Sequence, residues 1–199
     1  LVPVVSSLAQ QYPELRITVL SNPFARSLFD GIAHNVGFMA ADLNGEYHGV
    51  KGLNALYRRL VAKNFTAIAD MQSILRSSYL RMRFNISSYR VEHLDNHRQE
   101  RRKLVAAKDK CLKQLPSLFD DYLDVLARLG YNVSLDFQSL FPPTGGNLRL
   151  VSDRIGEKKM FQQWIGIAPF AAFRGKVYPA QLTERVIAEL IRRHPSCRI

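Results

Sequence analysis

The sequence predicts an α/β protein with parallel sheet built from βαβ units, and three observations lead there. Short β-rich runs alternate with amphipathic helical stretches along the chain, the order that places helices on the faces of a parallel sheet. Those runs are apolar on both sides, as strands buried between helix layers are. The two ends of the chain also share one pattern: a helix, then an aromatic or histidine residue followed by proline, then a strand. At 199 residues, 47% hydrophobic and 23% charged, the composition is that of a folded protein, long enough for one domain or parts of two. No apolar run approaches the roughly 18 residues needed to cross a bilayer.

The elements follow in order. Residues 1–9 place apolar side chains with helical spacing, and Pro13 ends that helix. Residues 16–20 read as a short buried strand. Residues 23–30 suit a short helix, with Asn22 as its N-cap and Pro23 at its first position. Strand 36–41, helix 52–63 and strand 65–70 come next, the last ending in the carboxylate of Asp70. Helix 74–84 and a short strand 88–91 follow. Residues 116–129 form an amphipathic helix closed by Gly130 as C-terminal cap. The Pro- and Gly-rich stretch 141–146 breaks the alternation and reads as a linker. Beyond it, residues 164–168 read as a new buried strand. In residues 182–193, Leu182, Val186, Ile187, Leu190 and Ile191 share one face of a last helix. Residues 197–199 look like the start of another strand. The expected organisation is a Rossmann-like domain over residues 1–140 lacking its first strand, a linker over 141–163, and over 164–199 the start of a second Rossmann-like domain. The chain is expected to be a fragment of a longer protein.

Charge is strongly biased. The chain carries 28 Lys and Arg against 17 Asp and Glu, a net charge of +11. Between Lys51 and Lys113 stand 15 basic and 5 acidic residues, so nearly all of the excess lies there. Such a segment attracts polyanions by its field alone, whether nucleic acid, anionic lipid or phosphorylated sugar. It also reads as a solvated face. Cys111 and Cys197 lack metal-ligand spacing, and a reducing compartment is the simpler assumption. His93 and His97 stand four apart without a third ligand nearby and read as a surface pair.

In open α/β sheets, ligands bind beyond the carboxyl ends of the strands, which selects two loops. The first runs from Asp70 through Gln72 to Arg76 and puts a carboxylate, an amide and a guanidinium at a strand end. A strand-end aspartate also serves as a helix cap or a loop ion-pair partner. The second runs from Pro169 to Pro179, with the small residues Ala171 and Ala172, two cations, Arg174 and Lys176, and a helix to follow. Small side chains let backbone N–H groups approach a ligand, and both Lys176 and the helix N-terminus favour an anion such as a diphosphate. The Gly-rich spacing of a Walker loop is absent.

These two loops resemble signatures of the ADP-heptose:lipopolysaccharide heptosyltransferases, glycosyltransferase family nine. The stretch Lys176-Val177-Tyr178-Pro179 is similar to that family's Lys-x-(Trp/Tyr)-Pro, and Asp70-Met71-Gln72-Ser73-Ile74-Leu75-Arg76-Ser77 to its Asp-x-Gln-Gly-Leu-x-(Lys/Arg)-Ser. Val2 to Leu8 looks like the first helix of the family's amino-terminal domain. The resemblance is collinear over almost the whole chain. It implies a GT-B fold and inverting, metal-independent transfer of a heptose from an ADP-sugar to the lipopolysaccharide inner core. No cofactor is implied. It also implies a peripheral, cytoplasmic enzyme at the inner face of the inner membrane of a Gram-negative bacterium. Lys176, Ala171 and Ala172 would then contact the donor, Lys176 neutralising the diphosphate as ADP leaves. Asp70, Gln72 and Arg76 would line the acceptor side. Two positions depart from the pattern: the family often has a hydroxyl residue where Ala172 stands, and Gly where Ser73 stands. The family's catalytic base lies in a Gly-Asp loop expected upstream of Leu1, and its Asp- and His-containing donor motif is expected beyond Ile199.

Two other readings compete. A nucleic-acid-binding or other polyanion-binding module could use the same basic segment, although no helix-turn-helix, RNP or zinc-finger pattern is present and the aromatics do not interleave with the cations. An inert α/β remnant of the enzyme is the other.

Overall fold

A computed structural model describes residues 1–141, 146–147, 150, 152, 155–156 and 158–199. The chain divides into two compact units, Leu1–Leu140 and Phe141–Ile199.

Leu1–Leu140 is mixed α/β. Helix α1 (Val2–Gln11) carries Pro3 in its first turn and buries Val4, Val5, Leu8 and Ala9. Asn35 fixes its far end, donating from Nδ2 to the carbonyls of Ala9, Tyr12 and Leu15 at 3.2, 3.3 and 3.0 Å. Strands β1 (Ile17–Ser21) and β2 (Val36–Ala40) pair in parallel, Ile17 opposite Val36 and Ser21 opposite Ala40. Between them Pro23–Leu28 is a 3-10 turn, with Asn22 Oδ1 accepting from the Phe24 N–H. The cap is where the sequence places it, but the expected helix stays 3-10. Pro23 removes one donor, and the following chain turns back over Phe29.

Helix α2 (Gly49–Val61) leads into β3 (Ala67–Asp70), and α3 (Leu75–Ile86) joins β3 to its parallel partner β4 (Arg90–His93). Strand β4 lies two residues later than the expected 88–91, because Ser88 takes a positive φ and forms the turn. The sheet is not continuous: β1–β2 and β3–β4 are separate two-stranded sheets. The Ile17 N–H donates to Asn35 and the Ala41 N–H to Ser21. That phase turns the backbone groups of Thr18 and Leu20 away from β2. Side-chain packing joins the two pairs instead. Met39 of β2, Ile68 of β3 and Val91 of β4 share one cluster with Leu56 and Leu60 of α2 and Phe84 of α3. A second cluster joins Val4 and Leu8 to Leu126, with Ile17 and Met71 against it.

An unexpected helix, α4 (Arg98–Val105), follows β4. Its mean hydropathy is low and it buries no residue, so its pattern carries no core-facing stripe for a sequence reading to find. Helix α5 (Leu118–Arg128) opens with a reciprocal cap between Ser117 and Asp120 and closes at Gly130, whose φ is +88°. That cap holds the Asp120 carboxyl below its ordinary range. The chain then returns along α1, where the Ser7 hydroxyl donates to the Asp136 carbonyl and accepts from its N–H, both at 2.9 Å.

The second unit differs from expectation. Most of the proline–glycine stretch read as a linker lies outside the described residues. Residues 164–168 do not form a strand: Ile165 is exposed, and only a single parallel bridge joins Trp164 to Arg198. The Ile165 N–H donates to Arg198 at 2.8 Å and the Arg198 N–H to Gln163 at 2.9 Å. Residues 166–168 have no strand partner among the described residues, and an extended run without one is left as coil. Helix α6 (Ala180–Arg193) forms as its periodicity predicts, and Glu189 receives hydrogen bonds from both Arg192 and Arg193. Those two cations hold the Glu189 carboxyl below its usual range.

Candidate functional site

Asp70 ends β3, and the chain reverses directly behind it. Its Oδ1 accepts from the N–H groups of Gln72 and Ser73 at 3.1 and 2.9 Å, and its Oδ2 accepts from Arg81 Nη1 at 3.0 Å. With the side chain only 7% exposed, this is a semi-buried ion pair that fixes the loop. Arg81 also donates to the hydroxyls of Ser73 and Ser78. Asn96, from the loop after β4, donates to the Ser73 carbonyl at 2.8 Å, where Ser73 holds a positive φ. Gln72 and Arg76 are exposed at this end of β3. Arg76 Nη1 donates to the Leu43 carbonyl and to Asn44 Oδ1, in the loop after β2. The three residues singled out in the sequence therefore share one strand-end region but not one role. Asp70 is spent on internal bonds, whereas the Gln72 amide faces solvent and Arg76 is steadied from one side.

Beside this region His97 bridges the loop after β4 to α5. One ring nitrogen lies 2.8 Å from Asp121 Oδ1, and the other 3.7 Å from Asp95 Oδ2. The hydrogen bond to Asp121, helped by the nearby carboxylates, raises its pKa above the ordinary histidine value. Neither Arg81, Asn96 nor the His97–Asp121 pair is legible in the sequence. The partners stand 11 to 24 residues from the groups they serve, with no periodic relation to them.

The second loop lies in the unit Phe141–Ile199. There Lys176 ends a 3-10 turn, Arg174–Lys176, and its Nζ stands 5.6 Å from the ring centre of Phe173. An open cavity of about 350 Å³ is lined by Lys176, Tyr178 and Ala171 on the loop and by Thr183, Val186 and Leu190 on α6. That volume is at the small end of the range for ligand sites, roughly 300–1,000 Å³. Ala171 lines the cavity, and Ala172 is not among its lining residues. Helix α6 starts after Pro179 with no side-chain cap on its first-turn amides. The cavity is thus a largely apolar trough with a cation and two hydroxyl groups on its walls. It suits a ligand with a flat apolar part and an anionic part. The sequence reading missed Tyr178 and Thr183 as lining groups. The i, i+3, i+7 spacing of Thr183, Val186 and Leu190 was the available signal.

The structure also sorts the basic residues of the segment from Lys51 to Lys113. Arg59 donates to the Tyr47 hydroxyl, Arg83 to Asn54 while stacking over Tyr57, and Arg90 to the Leu129 carbonyl. Arg76 and Arg81 are engaged as described. From Arg98 onward the cations are exposed, and none makes an ion pair among the described residues. Among the described residues no three His, Cys, Asp or Glu side chains gather as a metal-binding cluster. No described helix is long and apolar enough to cross a membrane. Comparison with family models, curated proteins and solved structures finds no match for the chain.

Proposed function

We propose that the chain belongs to a GT-B type glycosyltransferase that moves a heptose, or a related sugar, from an ADP-activated donor to the inner core of lipopolysaccharide. Transfer would invert the anomeric centre without a metal, on a peripheral enzyme at the cytoplasmic face of the inner membrane. One observation carries this reading. Lys176 and Ala171, assigned to the donor by resemblance, line a cavity whose other wall is Thr183, Val186 and Leu190 of α6. In that place the Lys176 ammonium offsets the charge that builds on the leaving diphosphate, an interaction stronger in the transition state than in the ground state. The apolar flank from Val186 to Leu190 accommodates the flat part of the nucleotide. On the acceptor side, Asp70 and Arg81 set the loop, and the exposed Gln72 and Arg76 meet the phosphorylated sugar.

The test is a calorimetric titration of the 199-residue chain with ADP and with an ADP-sugar, for the parent and for Lys176→Ala. The parent binds both. The variant binds at least about tenfold more weakly, the loss of one charge-assisted contact to a phosphate. Equal affinity in parent and variant, or no binding by the parent, overturns the assignment.

A further inference from the structure

The exposed basic segment from Arg98 to Lys113 has no role in either loop described above. It holds seven Lys and Arg against two acidic residues, Glu100 and Asp109. None of the seven forms an ion pair among the described residues, whereas Arg59, Arg76, Arg83 and Arg90 are engaged by hydrogen bonds to neutral acceptors and Arg81 by its pair with Asp70. In α4 the positions i, i+3, i+4 and i+7 share a face, and here they are Arg98, Arg101, Arg102 and Val105. Val105 stands 80% exposed at the end of that stripe, and Leu112 81% exposed in the loop beyond. Leu104, one position from Val105, is turned partly inward. The segment is also held in shape. His97 ties its start to Asp121 of α5, and the Cys111 N–H donates to the Lys103 carbonyl, closing the loop after the helix.

We propose that α4 and the loop to Lys113 form the surface through which this protein docks on an anionic phospholipid bilayer. The arginine stripe lies against the headgroups, and Val105 and Leu112 enter the acyl boundary. This names the surface by which the proposed glycosyltransferase meets its membrane, and it rests on that reading for the bilayer as partner. Basic side chains near an anionic leaflet are each attracted by its surface potential, and an apolar side chain standing out among them adds burial that salt does not screen. A nucleic-acid surface of similar charge would be expected to offer stacking rings. From Arg98 to Lys113 there is no aromatic residue, and the side chains that protrude are aliphatic.

The experiment is flotation of the 199-residue chain with vesicles of mixed phosphatidylglycerol and phosphatidylcholine, against vesicles of phosphatidylcholine alone. No nucleotide or lipopolysaccharide is present, so the outcome is independent of the ADP titration above. The parent floats with the anionic vesicles and not with the neutral ones. Arg98→Glu with Arg101→Glu and Arg102→Glu lowers partitioning by about tenfold or more. Val105→Ser with Leu112→Ser leaves binding at low salt and loses what persists at high salt. A control that reverses three exposed cations elsewhere, Lys63→Glu with Lys158→Glu and Lys159→Glu, stays within about twofold of the parent. Circular dichroism confirms folding of each variant. A polarity-sensitive dye on Cys111, in a Cys197→Ser background, shifts to the blue with anionic vesicles and needs no charge variant. The proposal is overturned if the triple arginine variant floats like the parent or the control falls equally. It is also overturned if the dye does not respond, or if the parent ignores vesicles and binds duplex DNA with a steep salt dependence.

Discussion

Residues 1–140 and residues 141–199 hold similar kinds of helix, yet they are stabilised differently. In the first unit, α1, α2 and α5 each drive an apolar face into a cluster of buried side chains, and Leu56, Val4 and Val125 are fully enclosed. In the second, no described residue is buried. Helix α6 is as amphipathic as α5, but Leu182, Val186 and Ile191 remain exposed. A regular pattern of apolar residues therefore guarantees the helix and not the core, since burial needs a second surface. The same contrast separates the two loops. The loop after Asp70 is held by a semi-buried ion pair and a side chain from a neighbouring loop, whereas the loop around Lys176 is held mainly by its own 3-10 turn.

The largest effect expected from this contrast comes from paired truncations. Leu56→Ala removes a fully enclosed side chain and costs about 3 kcal/mol in denaturant unfolding followed by far-ultraviolet circular dichroism. Val186→Ala, on a half-exposed face, costs less than about 1 kcal/mol when followed by the fluorescence of Trp164, the single tryptophan. Equal costs would show that α6 is buried in solution, and the contrast would be lost.

A smaller effect separates the loops. Asp70→Asn keeps an acceptor for the Gln72 and Ser73 amides but removes the charge that faces Arg81. With Arg81 still 20% exposed, the loss is about 2 kcal/mol, below that of a fully buried pair. Lys176→Ala, at an exposed position, changes stability by less than about 0.5 kcal/mol, so any loss of ADP binding in that variant reports the site and not the fold.

The smallest effect lies in the pH dependence. The folded pKa of His97 is raised by Asp121, so its charged form contributes stability that is complete below its unfolded value near 6.5. That contribution is lost as pH rises through the folded value. The stability difference between the parent and His97→Gln should be largest near pH 6, about 1 kcal/mol or less, and should shrink towards pH 8.5. Urea unfolding across that range measures it. A difference that grows with pH would reverse the assigned charge.

Elements set by short-range chemistry were legible in the sequence. Asn22 before Pro23, Ser117 with Asp120 and Gly130 act where local hydrogen bonds and backbone freedom place them. Strand positions were legible to within one or two residues, because runs such as 16–20 and 36–41 have few alternatives. The failures have a common cause. Residues 164–168 have strand composition but only a one-residue bridge to Arg198, and a strand exists only with a neighbour. Helix α4 has no apolar stripe, so its helix is carried by propensity and by its tether at His97. Of the candidate site, the loop after Asp70 does follow a strand, as the rule for strand ends expects, whereas the loop from Pro169 to Pro179 was selected by the same rule and no strand precedes it at residues 164–168. The partner of Asp70 could not be read, because Arg81 reaches it only once α3 has packed against α2 and β4.

The sequence by itself determined the alternation of helices and strands, their caps, and a strong basic excess between Lys51 and Lys113. Those are sums over neighbouring residues. Only the tertiary structure decided that Arg59, Arg76, Arg81, Arg83 and Arg90 are engaged by hydrogen bonds inside the first unit while Arg98, Arg101 and Arg102 make no ion pair among the described residues. It also split the expected sheet into two pairs joined by side-chain packing. The reason is physical: charge and propensity belong to each residue, but a hydrogen bond or a buried contact belongs to a pair brought together from distant parts of the chain.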